Sequence, residues 1–173
     1  MSALYRVRQF VRAAGAWVRP GEGDGEFAAR YLPPPAVELF QAMPRYDQQH
    51  ALNVCHTLER QGQAERDLLA AALLHDTGKS VPQGARVWLW HRVAVVLIRV
   101  FWPSLLGRLE KDERGSWRRP FYVQVHHAAI GAEAARQAGC SAITVWLIRH
   151  HEDAPDQALD PLLAALQAAD SEN

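Results

Sequence analysis

The sequence predicts an all-α fold, a compact bundle of several helices. Three observations predict it. Apolar residues recur at three- and four-residue spacing, as in Leu68, Leu69, Ala72 and Leu73. No stretch alternates apolar and polar residues over the length of a strand. Breakers such as Pro33-Pro34-Pro35, Gly62 and Gly139 punctuate the helical patterns.

Taken in order, residues 4 to 17 read as a short helix with Arg6, Arg8 and Arg12 exposed, followed by the breakers Gly21 to Gly25. Residues 1–35 are therefore expected to be an amino-terminal arm, and 36–173 the helical domain. The proline run opens a helix at Ala36, because the fixed φ of proline suits a first turn. Asp47 is placed to cap the next helix, which carries His50 and ends before Gly62. The helix containing Leu68 to Leu73 delivers His75 and Asp76 at its carboxyl end, and Gly78 is placed to stop it in a left-handed turn. His127 opens a segment from Ala128 to Ala138 that Gly139 closes, and Leu163, Leu166 and Asp170 share a face of the last helix.

Val87 to Leu106 is apolar almost all round and reads as an insertion in the domain. Its length approaches a bilayer span, but Arg92, Arg99 and Pro103 interrupt it, so no transmembrane helix is expected. The primary expectation is a helix buried in the bundle or against a second copy in a homodimer. A lid over the site and attachment to a membrane surface are the alternatives.

At 173 residues the chain fits one domain. Lys plus Arg equals Asp plus Glu at 19 each, so no net charge draws it toward nucleic acid or anionic lipid. Cys55 and Cys140 stand alone, form no CxxC, and read as small buried apolar residues of a reducing, cytoplasmic environment. The first twelve residues lack the long apolar core of a signal peptide.

Histidine is the compositional excess, at eight residues. Ligand-type residues form clusters along the chain: His50, then His75-Asp76, then His126-His127 with His150-His151, and finally Asp170. Imidazole nitrogen with carboxylate oxygen suits manganese, iron, zinc or cobalt better than calcium. Helices are rigid, so ligands from several of them can converge on one point. His126 and His127 are adjacent, and register favours His127. His150 and His151 project about 100° apart, so both meet one site only where their helix ends upon it. His56 and His91 fall outside the pattern.

The order His, His-Asp, His, His, Asp, with the pair inside Ala70 to Lys79, resembles the HD-domain metal-dependent phosphohydrolases. The matching segments are Gln49 to Val54, Ala70 to Lys79, His127 to Gly131, Ile148 to Glu152 and Ala168 to Asp170. The chain is also similar to the HD-GYP and diadenosine tetraphosphate hydrolase groups. It has no Gly-Tyr-Pro after His150-His151-Glu152, and Tyr46 stands where a third metal would need glutamate. The resemblance implies two divalent ions (manganese, iron, zinc, cobalt or magnesium) held by His50, His75, Asp76, His127, His150, His151 and Asp170, with Asp76 bridging. It implies hydrolysis of a phosphoester or phosphoanhydride in a nucleotide or similar small metabolite, since a bound dication lowers the pKa of water to about 7. Lys79 would hold the phosphate, and Arg45, Arg118 and Arg119 are candidate fork donors for further phosphates. A different class of function, a metal- and nucleotide-binding sensor without turnover, is the alternative.

Overall fold

The structure is a computed structural model that describes residues 24–80, 89–109, 111–112, 116–154 and 160–173. Every regular element among these residues is helical, as the spacing predicts. The residue 4–17 helix lies outside the described residues. The chain divides into two compact units, which in described residues are 24–80 with 128–154 and 160–173, and 89–109 with 111–112 and 116–127.

The larger unit is built around α4. Its helices are α1 (Asp24–Ala29), α2 (Pro34–Ala42), α3 (Arg45–Arg60), α4 (Arg66–Leu74), a 3-10 turn at Thr77–Lys79, the second half of α7 (Arg119–Gln137), α8 (Ala142–His150) and α9 (Pro161–Glu172). Every residue of α4 from Leu68 to Leu74 is buried, not one face only, because α3, α8 and α9 all pack on it. Phe40, Leu58, Leu147, Ile148 and Leu166 complete this core. Ala28 and Leu32 also belong to it, so the helical body begins ahead of Ala36.

Three local expectations change. Helix α3 starts at Arg45 behind Pro44, two residues before Asp47, which is buried in the first turn instead of capping it. The buried Gln48 amide anchors this start by donating to Met43 O at 2.7 Å. Gly78 has no positive φ; among described residues only Gly62 and Gly139 do, at 81° and 83°. Glycine is needed near Gly78 for a different reason: a Cβ on Gly131 of α7 would meet Gly78 N at 3.0 Å and Thr77 Cγ2 at 3.3 Å. Finally, α7 begins eight residues before His127, so that histidine lies mid-helix.

Two caps fix the final helices. Ser141 Oγ accepts from Thr144 N at the start of α8 and donates to Asp67 Oδ1 at 2.7 Å, tying α8 to α4. Asp160 Oδ1 accepts from Leu162 N and Leu163 N at the start of α9. At the other end, Asn173 Nδ2 donates to Thr57 Oγ1 of α3 at 3.0 Å. Helix α9 is therefore held against α3 where it carries Asp170.

The smaller unit contains α5 (Leu89–Phe101), α6 (Pro103–Leu109) and the first half of α7. Val95, Leu106 and Phe121 form its buried centre. Helix α5 is not buried all round as expected: Leu97, Val100 and Phe101 are exposed. No described helix is long and apolar enough to cross a membrane.

Candidate metal centre

Four elements of the larger unit bring ligand-type residues together: α3 with His50, the end of α4 with His75 and Asp76, the end of α8 with His151, and α9 with Asp170. His50 Nε2 lies 2.8 Å from Asp170 Oδ1. The His75 ring stands edge-on to both His50 and His151, at centroid distances of 5.3 and 5.2 Å. His50, His75 and Asp76 each offer one donor atom, all within 4.8 Å of one another.

The buried imidazoles share one device. His75 Nδ1 donates to Ala72 O at 2.9 Å, and His151 Nδ1 donates to Ile148 O at 2.7 Å. His127 Nδ1 does the same with Gln124 O at 2.9 Å. A carbonyl oxygen only accepts, so each Nδ1 carries a proton, and a neutral ring then presents a lone pair at Nε2. Fixing the tautomer through the far nitrogen is how a ligating histidine is oriented.

At His75 the Nε2 atom faces carboxylate acceptors. Nε2 is buried and makes no hydrogen bond of ordinary length; Asp170 Oδ1 is 3.5 Å away and Asp76 Oδ1 is 3.8 Å away. Asp76 Oδ1 is also 3.9 Å from His151 Nε2, so one carboxylate oxygen lies within reach of two imidazoles. Burial alone lowers the His75 pKa, but the charge of Asp76 and the nearby Asp170 carboxylate overturn this and push it up to about 9. Burial also raises the Asp170 carboxyl, and its contacts with His50 and His75 outweigh that, holding it well below the usual range. Surroundings that favour positive charge so strongly suit a cation, and nitrogen with carboxylate oxygen suits a divalent transition metal. The residues present fit such an ion.

Lys79 reaches Asp76 Oδ2 at 2.5 Å with both side chains nearly buried. Its ammonium is therefore engaged with the pair's carboxylate. His150 is placed differently from His151. Its Nδ1 lies 2.6 Å from Asp153 Oδ2, its ring leans on Trp146, and it is partly exposed. Helix α8 ends at His150, so the two neighbours diverge there, and Gln167 Nε2 of α9 donates to the carbonyls of His151 and Asp153 at that end. Gln167 carried no signal as a ligand type, although it shares the Asp170 face one turn earlier.

The arginine candidates have local partners. Arg45 Nη1 donates to Gln48 Oε1 at 2.9 Å. In the smaller unit, the Arg118 guanidinium lies 5.4 Å from the Trp117 ring centre, and buried Arg119 pairs with Asp112 at 2.9 Å. His126 leans on Tyr122 at 4.4 Å, while His127 is fully buried. His56 is an exposed partner of Glu59, and His91 is buried beside Trp90 and Phe121.

A family model described as the HD domain matches residues 48–172. That span contains His50, His75-Asp76, His127, His151 and Asp170. No curated protein and no solved structure matches the chain.

Proposed function

The chain belongs to the HD-domain family, and from that premise we propose that it is a metal-dependent phosphohydrolase. Its substrate is a phosphoester or phosphoanhydride of a nucleotide or a related small phosphorylated metabolite. The observation that carries this reading is the buried His75 Nε2, aimed at two carboxylates with no hydrogen bond of ordinary length. A purely structural histidine would have satisfied that atom.

In this reading His50, His75, Asp76 and Asp170 hold one ion. Asp76, His127 and His151 hold a second, with Asp76 shared. His127 is supported by its tautomer-fixing bond and by its place one turn before Gly131, whose backbone neighbour is Gly78. His150, whose Nδ1 contacts Asp153, is proposed to join the second ion through Nε2. When bound, the ions lower the pKa of water and offset charge on phosphoryl oxygens. The chain's own residues set the rest. Lys79 neutralises Asp76 Oδ2 and so reserves Oδ1 for the imidazole side. It also keeps a positive charge beside the phosphate. Arg45, Arg118 and Arg119 remain proposals for further phosphates.

The test is metal analysis of the purified chain, then a panel of mono-, di- and triphosphate nucleotides and a chromogenic phosphodiester assayed with the bound metal defined. Turnover abolished by Asp76→Asn supports the reading. A fully metal-loaded protein that turns over no phosphoester would make the domain a binding module.

A further inference from the structure

The chain is neutral as a whole, but its two units are not. Among described residues, the smaller unit carries Arg92, Arg99, Arg108, Lys111, Arg118 and Arg119 against Asp112 alone. The larger unit carries seven basic residues and fourteen acidic ones. Among the described residues, overall neutrality therefore hides a strong division of charge.

That unit also exposes an apolar surface of a particular kind. Trp90, Val100, Phe101, Trp102 and Trp117 are 57%, 55%, 62%, 61% and 64% exposed, so each leaves more than half its surface in water. Arg99, Arg108 and Lys111 are exposed among them in sequence. Tryptophan and phenylalanine beside arginine and lysine suit the boundary between lipid headgroups and acyl chains. Helix α5, at 13 residues, is about 20 Å long, short of the ~30 Å hydrocarbon core, so it suits lying in the membrane plane. A second copy on this face would oppose two basic surfaces with little acid to pair them. Nucleic acid would use the charge and the rings, but gains no stacking from Leu97, Val100 or Leu105.

We propose that the smaller unit docks the protein on the surface of a membrane containing anionic phospholipid, through the exposed aromatic and basic residues of α5 and α6 together with Lys111 and Trp117 ahead of α7. Docking of this kind is independent of the proposed hydrolysis.

The experiment is flotation of the full chain with vesicles of phosphatidylcholine alone, or of phosphatidylcholine and phosphatidylglycerol in equal parts, with tryptophan emission recorded. The expected result is flotation with the anionic vesicles only, a blue shift of emission, and release by high salt. Arg99→Glu with Arg108→Glu should weaken binding about tenfold or more, and Trp102→Ser should weaken it while leaving helical content unchanged. Failure of the wild-type chain to float, or equal flotation with both vesicles, overturns the proposal. So does a dimer that closes this face, or preferential capture of a labelled oligonucleotide.

Discussion

His75 holds the centre of the account at the residue scale, because its two ring nitrogens have different tasks. Nδ1 is committed to Ala72 O, and Nε2 faces the carboxylates of Asp76 and Asp170. Lys79 makes a contrasting test. It pairs with Asp76 but offers no lone pair while protonated. Lys79→Ala should therefore lower turnover while metal content stays at the wild-type level. Metal analysis of the variant that shows the ion lost as readily as in Asp76→Ala would mean that Lys79 builds the site itself. The sequence displays the ligand types and their order plainly. It does not display the divergence of His150 from His151, which depends on where α8 ends, nor the engagement of Lys79 with Asp76.

The cysteines give a second prediction at this scale. Cys55 is fully buried in α3, and burial pushes its thiol up to about 12; Cys140 is raised in the same direction, also by burial first. Burial disfavours the thiolate, so the folded protein keeps Cys55 protonated where an unfolded chain ionises it near 9.0. The sign follows: this contribution to stability is present below pH 9 and fades as pH rises toward 12. A thiol reagent at mildly alkaline pH should modify Cys55 only on unfolding. Modification at the rate of a free cysteine would show that the α3 core opens readily.

Among elements, the approach of α7 to the turn after α4 is the tightest constraint near the ligands. Gly131→Ala gains helix propensity of about 1 kcal/mol, but the added methyl meets the Gly78 backbone at 3.0 Å. Backbone yields less easily than a side-chain end, and overpacking typically costs about 1–3 kcal/mol. The variant should be less stable than wild type by denaturant titration; equal or greater stability would mean that the two segments separate freely. Ser141 joins α8 to α4 by capping one helix and donating to Asp67 of the other. Ser141→Ala should cost about 0.5–2 kcal/mol, measured in the same titration, and no loss would discount that tie.

Sequence periodicity located these helices, since α4 and α9 repeat apolar residues at helical spacing. It misplaced their details for physical reasons. Asp47 resembles a cap by residue type, but Pro44 already sets the non-helical turn ahead of Arg45. Gly78 resembles a left-handed stop, but its φ is not positive; its backbone is instead what Gly131, 53 positions later, approaches without a Cβ, and no local pattern encodes such a pairing.

For the whole molecule, the unequal division of charge is the feature that total composition concealed. The balance of 19 against 19 is legible at once, but which residues fold together is decided by tertiary contacts. The apolar stretch from Val87 is similar. Its hydrophobicity predicted burial, and the described part instead exposes Val100, Phe101 and Trp102 while burying Val95. The metal centre shows the reverse case. Residues far apart in sequence, His50 and Asp170, meet at 2.8 Å.

The central claim is that this His/Asp cluster binds divalent metal and uses it on phosphoesters. The most direct measurement is metal content after reconstitution with excess manganese, for wild type and Asp76→Asn side by side, with phosphoester turnover on the same samples. The wild type should hold two manganese ions per chain and turn over substrate, and the variant should lose both, because Asp76 serves both proposed ions. Full metal retention by Asp76→Asn, or a wild-type chain that retains no metal, would contradict it.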